Sequence, residues 1–295
     1  MKKIKLLLDT DLGSDCDDTG ALAVLHTFAN MGKAEIKGVV HCGSEISGAV
    51  AIKSINTWYQ RADIPVGRWE KSIFLEDDIC CRYTKILMQQ YLNDHEMPEF
   101  ENSTRLMRRI LAANEDITIA VIGMLNNVAE LLKSEPDDIS PLNGVQLVKR
   151  SVNKMYVMGG NFANFSHCEY NIVSDVKSAQ YVAENSPVAI IYCGFELGES
   201  VITGRNLRTA PNEHPVRIAY EKNSAHQGCI RSSWDPITVY CAVEQSNPHY
   251  KLSEPMQISF DDKGRVRLSE GGKDYYLKKI ISDYEAEQLI DSILK

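Results

Sequence analysis

Six short apolar runs constrain the fold of this chain more than any other feature. They are separated by segments in which apolar residues recur at helical spacing. The runs lie at residues 4–9, 36–42, 64–67, 117–123, 155–160 and 188–193. They are continuous rather than alternating, which is typical of strands that are covered on both faces. The intervening segments, at 18–30, 46–61, 103–114, 126–134 and 176–185, predict helices. This order predicts an α/β fold, a mostly parallel doubly wound sheet with helices on both faces.

The pattern changes after residue 205. Helices are predicted at 213–224 and 235–244, followed by short strands at 256–260, 265–269 and 274–279 and a last helix from Asp283. No repeat and no long linker interrupts the chain. A length of 295 residues suits one large α/β domain or two small ones, and we expect residues 1–295 to form a single domain.

Composition excludes several classes of partner. The formal net charge is −8 and no block of Lys or Arg stands out, so we expect neither a nucleic-acid nor a membrane partner. The amino-terminal lysines and leucines resemble a signal peptide, but the apolar stretch is too short and runs into aspartates. No apolar run is long enough to cross a bilayer. We therefore expect a cytoplasmic protein.

The eight cysteines show no C-x-x-C pair, and we expect them to be reduced. Cys80 and Cys81 could contribute to a zinc site with a histidine, although adjacent ligands are poorly spaced around one tetrahedral ion.

The stretch DTDLGSDCDD, residues 9–18, places five aspartates directly after the first predicted strand. Ligand sites of parallel sheets lie beyond the carboxyl ends of the strands. Aspartates also cap helix starts and favour the positive end of the helix dipole, but this accounts for one or two of the five. The cluster therefore indicates a bound cation or carboxylate chemistry.

Two known arrangements of aspartates do not fit. An EF-hand loop beginning at Asp15 would place His26 at its twelfth position, where a bidentate Glu is required. A phosphotransferase of the haloacid-dehalogenase type also has D-x-D after a strand. This chain has Gly13 where that type needs a threonine, and the pair Asp17–Asp18 would be unexplained.

Several motifs agree in order and spacing with one family. They are D-T-D-x-G followed by D-D, VVHCGS, IAVIGMLNNVAELL, VMGGNF, EYNIVSDVKSA and SSWDPITV. From residue 4 to about 245 the chain resembles the calcium-dependent nucleoside hydrolases of the inosine-uridine-preferring superfamily. The resemblance implies a nucleoside N-ribohydrolase that releases ribose and a free base in salvage. It also implies one Ca²⁺ ion, a small-molecule nucleoside as substrate and a homo-oligomer, either a dimer or a tetramer.

The resemblance also assigns metal ligands. It implies that Asp11 is both a ligand and the base that activates water, that Asp18 and Asp235 bind the ion, and that the backbone carbonyl of Ile122 joins them. Asp9 would support the cluster. Asp235 followed by a proline also suits a simple helix N-cap.

The D-D pair occurs two residues later here than in the common family pattern. An ungapped alignment would place Asp15 and Cys16 on the pair. We prefer Asp17 and Asp18 because the following helix then stays in phase, and Asp15 remains open as an additional ligand.

Substrate contacts follow from the resemblance as well. Asp17, Glu169 and Asn171 would bind ribose hydroxyls, while Met158 would line the pocket. Either Asn161 or Asn164 would supply a further ribose contact. Ser44 stands where the family usually has Asn, so its hydrogen bond would be shorter or lost.

Trp234 stands where broadly acting members have a His that protonates the leaving base. An indole cannot act as such an acid, whereas purine-preferring members carry Trp here and stack it on the base. We therefore expect purine nucleosides to be favoured. Alternative acids are His41, His167, His226 and Glu196. Two other functions remain open: a ribohydrolase for a modified or pyrimidine nucleoside, and a non-catalytic ribosyl-ligand binding protein that keeps the metal site.

Overall fold

The computed structural model describes residues 3–71, 82–223 and 228–295. The strands are β1 (Ile4–Thr10), β2 (Ala34–His41), β3 (Val66–Arg68), β4 (Glu101–Asn102), β5 (Ile117–Val121), β6 (Val152–Met158), β7 (Ile190–Cys193), β8 (Ile202–Thr203), β9 (Arg231–Ser232), β10 (Tyr250–Leu252), β11 (Met256–Phe260) and β12 (Val266–Lys279). The helices are α1 (Asp17–Asn30), α2 (Ile46–Trp58), α3 (Arg82–Asp94), α4 (Ser103–Ala113), α5 (Asn126–Lys133), α6 (Gly144–Ser151), α7 (Tyr170–Ser174), α8 (Val176–Asn185), α9 (Phe195–Gly198), α10 (Pro215–Lys222), α11 (Trp234–Val243) and α12 (Asp283–Ile293). A 3-10 helix spans Arg205–Thr209. Cys80, Cys81 and His226 lie outside the described residues.

A ten-stranded sheet forms the centre of the molecule. Its order is β10-β12-β7-β6-β5-β1-β2-β3-β4, with β11 also paired to β12. The pairs from β12–β7 across to β3–β4 are parallel, and only β10 and β11 run antiparallel to their neighbour β12. The predicted mostly parallel sheet is confirmed. Separately, β8 and β9 form an antiparallel pair.

Both faces of the sheet are covered, which explains the continuous apolar runs. Successive side chains of a strand point to opposite faces. In β1, Leu6 and Leu8 pack into one hydrophobic core with α1, α2, α11 and α12, whereas Leu7 packs into the other core with α4, α5, α6 and α8. All three leucines are fully buried. The doubly wound arrangement is therefore confirmed.

The strand order reverses at β1. From β1 the chain adds β2, β3 and β4 on one side and then crosses to β5 on the other side. Connections that leave adjacent strands in opposite directions open a crevice beyond their carboxyl ends. The sheet topology therefore places the aspartate-rich segment after β1 and Ile122 after β5 at the position expected for a ligand site.

One boundary prediction was wrong. The two short strands predicted at 265–269 and 274–279 are parts of the single strand β12. Gly271 and Gly272 between them suggested a turn, but Gly271 has a φ of 82° and a Cβ at Gly272 would lie 2.0 Å from the backbone nitrogen of Gln257. The glycines thus permit an irregularity and close backbone approach within a strand.

Helices α3, α6, α7 and α9 were not predicted from the sequence. For α6 a signal existed, because Asn143 and Gln146 form a capping box at its start. The last helix begins at Asp283 as predicted, with a capping box of Ser282 and Glu285. Within the described ranges, no helix combines the length and apolar character that a membrane crossing requires.

Candidate active site

A cavity of about 410 Å³ opens beyond the carboxyl ends of β1, β5 and β6. Its volume lies within the range of roughly 300–1,000 Å³ that is usual for small-molecule sites. Ten residues singled out from the sequence line it: Asp11, Asp15, Asp17, Asp18, Ile122, Met158, Glu169, Asn171, Trp234 and Asp235. The fold therefore brings together residues from five separate segments of the chain.

Three buried carboxylates in this cavity form a candidate metal site. Asp17, Asp18 and Asp235 each offer an oxygen, and these oxygens lie within 4.8 Å of one another. Each side chain is at most 5% exposed. Asp17 and Asp18 lie in the first turn of α1, and Asp235 lies in the first turn of α11. Two helix N-termini, each carrying partial positive charge, thus converge on the carboxylates.

Asp17 links the two helices directly. Its Oδ2 accepts hydrogen bonds of 3.1 Å from the backbone N–H groups of Trp234 and Asp235. The carboxylate therefore caps the start of α11 rather than its own helix α1, whose N-cap residue Cys16 makes no side-chain capping hydrogen bond. The alternative that Asp235 is the N-cap is wrong, because α11 already begins at Trp234 and its N-cap is Ser233.

The remaining aspartates of the cluster have distinct environments. Asp11 lines the cavity, and its Oδ2 accepts a hydrogen bond of 2.9 Å from the Ser14 hydroxyl. Asp9 is fully buried, with Oδ1 accepting from the Asn127 amide at 2.8 Å. Thr10 donates a hydrogen bond to Oδ1 of Asp18. Asp9 does not line the cavity, and its support of the cluster stays a prediction.

Asp15 pairs with an arginine instead of joining the acidic group. Nε of Arg231 lies 2.8 Å from Oδ1 and 2.9 Å from Oδ2 of Asp15. The Asn223 amide donates to the same Oδ1 at 2.9 Å. The structure therefore favours Asp17 and Asp18 over Asp15 as the pair that faces the metal site.

Burial raises the pKa of every carboxylate in the acidic group. The pKa of Asp11 rises to about 6, and the pKa values of Asp17, Asp18 and Asp235 rise well above the usual range. Desolvation is the main cause, and repulsion between the neighbouring aspartates adds to it. So many buried carboxylates are costly unless a cation compensates them.

The donor set suits a hard divalent cation. Ca²⁺ takes six to eight oxygen ligands from carboxylates, carbonyls and water in flexible geometry. Asp17, Asp18 and Asp235 supply carboxylate oxygens, while Asp11 and Ile122 line the same cavity. The sequence assigned Asp11, Asp18, Asp235 and Ile122 to the ion, and the structure adds Asp17 to the candidate ligands.

Asn171 connects the two strands that flank the cavity. Its amide donates to the Ile122 carbonyl at 3.2 Å and to the Met158 carbonyl at 3.3 Å, and it also lies 3.3 Å from the Met158 sulfur. With its amide nitrogen used in this way, Oδ1 is the atom of Asn171 suited to accept from a ligand hydroxyl.

Glu169 is the N-cap of α7. Oε1 accepts from the backbone N–H of Asn171 at 2.8 Å, and Oε2 accepts from Ile172 at 3.1 Å and Gly160 at 3.2 Å. Burial nevertheless raises the pKa of Glu169 to about 7. An ionised carboxylate has about four lone-pair sites, so these three bonds leave it able to accept one more.

Three predicted contact residues do not line the cavity. Ser44 is half-buried and its carbonyl accepts from Arg68 at 3.1 Å. Asn161 accepts from the backbone N–H groups of Ala163 and Asn164, which stabilises its own loop. Asn164 is exposed. Their contacts with ribose stay predictions.

The described candidates for a leaving-group acid also lie outside the cavity lining. Burial lowers the pKa of His41 to about 4, and its Nε2 lies 3.0 Å from the Leu12 carbonyl. Glu196 accepts from the backbone N–H of Phe162 at 3.1 Å, and burial raises its pKa. The His167 ring packs 4.5 Å from the Phe195 ring. Neutral His41 therefore forms a hydrogen bond with the loop that carries Asp11.

Sequence reasoning missed Ser14, Tyr170, Phe195 and Arg231, which also line the cavity. The Phe195 ring lies 5.3 Å from the Trp234 ring at 28°, and Cζ of Arg231 lies 5.1 Å from the centre of the same indole. The indole N–H donates to the Phe195 carbonyl at 2.8 Å. Arg231 lies three residues before Trp234. Its closeness in sequence to the motif SSWDPITV was therefore the feature that could have identified it as a cavity residue.

Comparisons with known proteins identify a family for this chain. The sequence model of a family described as "Inosine-uridine preferring nucleoside hydrolase" matches residues 6–279. A relative from Salmonella schwarzengrund, named a non-specific ribonucleoside hydrolase RihC, is 25% identical over 219 residues. That match covers 70% of this chain and 66% of the relative, just under two thirds of its length.

Solved structures show the same fold. An inosine-uridine preferring nucleoside hydrolase from Bacillus anthracis superposes with a TM-score of 0.75 at 15% identity, covering 99% of each chain. A purine-preferring ribonucleoside hydrolase from Gardnerella vaginalis has a TM-score of 0.70 at 20% identity, again covering 99% of each chain.

Proposed function

This chain belongs to the inosine-uridine preferring nucleoside hydrolase family, and we propose that it hydrolyses the N-glycosidic bond of a ribonucleoside, with purines favoured. The observation that carries the proposal is the convergence of Asp17, Asp18 and Asp235 with Asp11 in one cavity that also contains ribose-binding candidates. The Salmonella relative is named a ribonucleoside hydrolase, which supports this substrate class. The products would be ribose and a free base, released for salvage.

We propose one Ca²⁺ ion as the cofactor, held by Asp18, Asp235, Asp11 and the Ile122 carbonyl, with Asp17 as a further ligand. When bound, the ion would supply positive charge that keeps these carboxylates ionised and would orient water and ribose hydroxyls.

Asp11 would act as the general base. The Ser14 hydroxyl, 2.9 Å from Oδ2, fixes the carboxylate in the cavity. In its ionised form Asp11 would take a proton from the attacking water, whose oxygen forms a bond to C1′ of the ribose. The loop that carries Asp11 is held from behind by Asp9 and His41.

Glu169 and Asn171 would bind the ribose. The remaining acceptor capacity of the Glu169 carboxylate and Oδ1 of Asn171 can both accept from sugar hydroxyls, because the backbone contacts described above fix their orientation. Such contacts strengthen as the sugar acquires oxocarbenium character. Met158 would form the wall beneath them.

Trp234 would contact the leaving base. Its ring lines the cavity and is fixed by Phe195, so it presents an aromatic surface to a bound base. A purine offers this surface two fused rings and a pyrimidine only one, which is the basis for the proposed purine preference.

The test is a panel of purine and pyrimidine nucleosides assayed for released reducing sugar with calcium present. We expect turnover of at least one purine nucleoside and its loss in Asp11→Asn, with the exposed Asp138→Asn as matched control. Binding without turnover on every compound would favour the alternative, a non-catalytic ribosyl-ligand binding protein. Turnover of pyrimidine or modified nucleosides alone would reject the purine preference.

We also propose that the protein acts in the cytoplasm as a homo-oligomer, a dimer or a tetramer. Light scattering of the purified protein tests the assembly, and a monomer at micromolar concentration would contradict it.

A further inference from the structure

Arg231 is the only Lys, Arg or His among the described residues that line the cavity. We infer that it contacts the leaving base and selects nucleosides whose base presents an acceptor edge, above all 6-oxopurines. The inference rests on the proposed ribohydrolase function and names the substrate class of that site.

The guanidinium is fixed in the cavity wall by Asp15. Nε of Arg231 contacts both carboxylate oxygens, at 2.8 and 2.9 Å, and Nη2 contacts Oδ2 at 2.5 Å. Asn223 holds the same carboxylate from a second direction. A bidentate pair of this kind fixes orientation as well as position. The segment between Gly13 and Asp17 therefore contributes more than residues near the metal site, because its Asp15 anchors Arg231.

Arg231 also lies against the aromatic side of the cavity. Its Cζ is 5.1 Å from the centre of the Trp234 indole, within the distance for a cation–π contact. Trp234 is in turn held by Phe195 through ring packing and the indole N–H. The three side chains form one rigid unit, and a base that contacts the indole would lie beside the guanidinium.

A guanidinium at this place matches the charge that develops when the bond breaks. As the water oxygen bonds to C1′ and its proton passes to Asp11, the electron pair of the C1′–N9 bond goes to the purine. The charge spreads to N7 and, in a 6-oxopurine, to O6. Arg stays protonated at working pH, so it would stabilise this anion by charge and hydrogen bonding rather than by donating its proton. The departed purine then takes a proton from solvent.

The chemistry of the acceptors sets the selectivity. The O6/N7 edge of hypoxanthine or guanine presents two acceptors, for which Arg is the preferred side chain. Adenine presents an amino donor at position 6, which faces a guanidinium unfavourably. Inosine and guanosine should therefore be cleaved faster than adenosine.

The test compares two leaving groups on wild type and Arg231→Gln with calcium present. One substrate is inosine, and the other is p-nitrophenyl ribofuranoside, whose leaving group departs as a stable anion without help. We expect kcat/KM for inosine to fall about 10- to 100-fold and the preference over adenosine to shrink. The p-nitrophenyl riboside should change by less than about threefold, since the metal site and Asp11 are intact.

Matched variants distinguish a contact between Arg231 and the base from a purely structural role of Arg231. Arg208→Gln removes another arginine, which donates to the Gly228 carbonyl at 2.6 Å and lies outside the cavity lining. This variant should leave kcat/KM unchanged for both substrates. Asp15→Asn keeps Arg231 but weakens its anchor, so it should show the same selective loss to a smaller degree. It also serves as the test if Arg231→Gln does not fold. Arg231→Lys should restore only part of the inosine rate, because it keeps the charge and loses the planar fork.

An equal loss on both substrates, or no loss on either, would overturn the inference while leaving the ribohydrolase assignment intact. A wild-type protein that hydrolyses neither these two substrates nor any nucleoside of the panel would instead reject the proposed function, and the inference with it.

Discussion

Oδ2 of Asp17 accepts a hydrogen bond of 3.1 Å from the backbone N–H of Asp235, a residue 218 positions later in the chain. The bond joins the first turns of α1 and α11 and brings both carboxylates into one acidic group. Both helix N-termini carry partial positive charge, so they stabilise the ionised form of the carboxylates that make up the candidate cation site.

Calcium should stabilise the fold. We predict that chelator lowers the melting temperature and that calcium at 100-fold excess over Kd restores about 3 kcal/mol of unfolding free energy. Asp18→Asn should remove this response, because it deletes a buried ligand of the acidic group. Differential scanning calorimetry with and without calcium measures it. The surface variant Asp138→Asn should retain the full response, and a wild type insensitive to both reagents would contradict the metal site.

Asp11→Asn should fold and still bind nucleosides but lose about 10²- to 10⁴-fold in kcat, the usual contribution of a general base. The amide preserves the shape of the side chain and can still accept from Ser14. Steady-state assays on the best nucleoside measure the loss. A variant that keeps wild-type turnover would show that another group activates the water.

Trp234→Ala should reduce purine turnover by about 10- to 100-fold, the equivalent of one stacking contact. Calcium-dependent stabilisation should persist, since Asp17 still accepts from the backbone at the start of α11. Kinetics on inosine and uridine measure the difference between bases. Trp58→Ala, a half-exposed tryptophan that packs on His214, is the control. Unchanged purine kinetics in Trp234→Ala would reduce Trp234 to a packing residue.

Gly123→Ala should weaken calcium binding and activity together. A Cβ at Gly123 would lie 2.6 Å from the backbone nitrogen of Asp11 and 2.8 Å from its Cβ, so the loop that carries Asp11 must move. Gly67→Ala is the matched control, since its Cβ would lie 3.0 Å from Leu106, far along the chain from the aspartates. We expect the control to lower stability without changing calcium affinity, as isothermal titration calorimetry can show. Equal calcium affinity in both variants would contradict the close contact.

The buried histidines should make a contribution to stability that is lost in acid, opposite in sign to the contribution of the buried carboxylates, whose pKa values are raised. Burial lowers the pKa of His26 to about 4, and the pKa values of His41 and His214 shift likewise. Unfolded histidine has a pKa of about 6.5, so the unfolded chain binds more protons between pH 6.5 and 4. The stabilisation that the buried neutral histidines provide is therefore complete above pH 6.5 and is lost as the pH falls toward 4. For each fully buried histidine, the free energy of unfolding falls by about 3 kcal/mol over this range.

His26→Gln isolates one of these contributions. Glutamine stays neutral and can still hydrogen-bond to Asn56, the partner of His26 at 2.9 Å. In urea unfolding of chelated protein, the free energy of unfolding of His26→Gln should fall less, or rise more, between pH 7.5 and pH 5 than that of wild type. The exposed His95→Gln should match wild type, and a pH dependence of His26→Gln equal to that of wild type would show that His26 binds protons equally in the folded and unfolded states.

Much of the fold could be predicted from local sequence patterns. The continuous run of Leu6, Leu7 and Leu8 predicted a strand covered on both faces because a run without alternation can be buried only in that way. The glycines at 271 and 272 misled the same reasoning, because a glycine pair marks a turn and a close approach of backbones equally well. Only the partner strand β11 distinguishes the two.

The sequence by itself determined the residue types of the site and the sheet edge on which they lie, because strand ends, helix starts and the spacing of Asp11, Asp17 and Asp18 are local properties. Tertiary structure alone decided which aspartate faces which partner. Asp15 is chemically identical to Asp17, yet one meets Arg231 and the other meets the start of α11. Those partners lie more than 200 residues away, and carboxylates act on whatever charge or donor is within a few ångströms in space. The assignment therefore depends on the packing of α1 against α11, which no local pattern encodes.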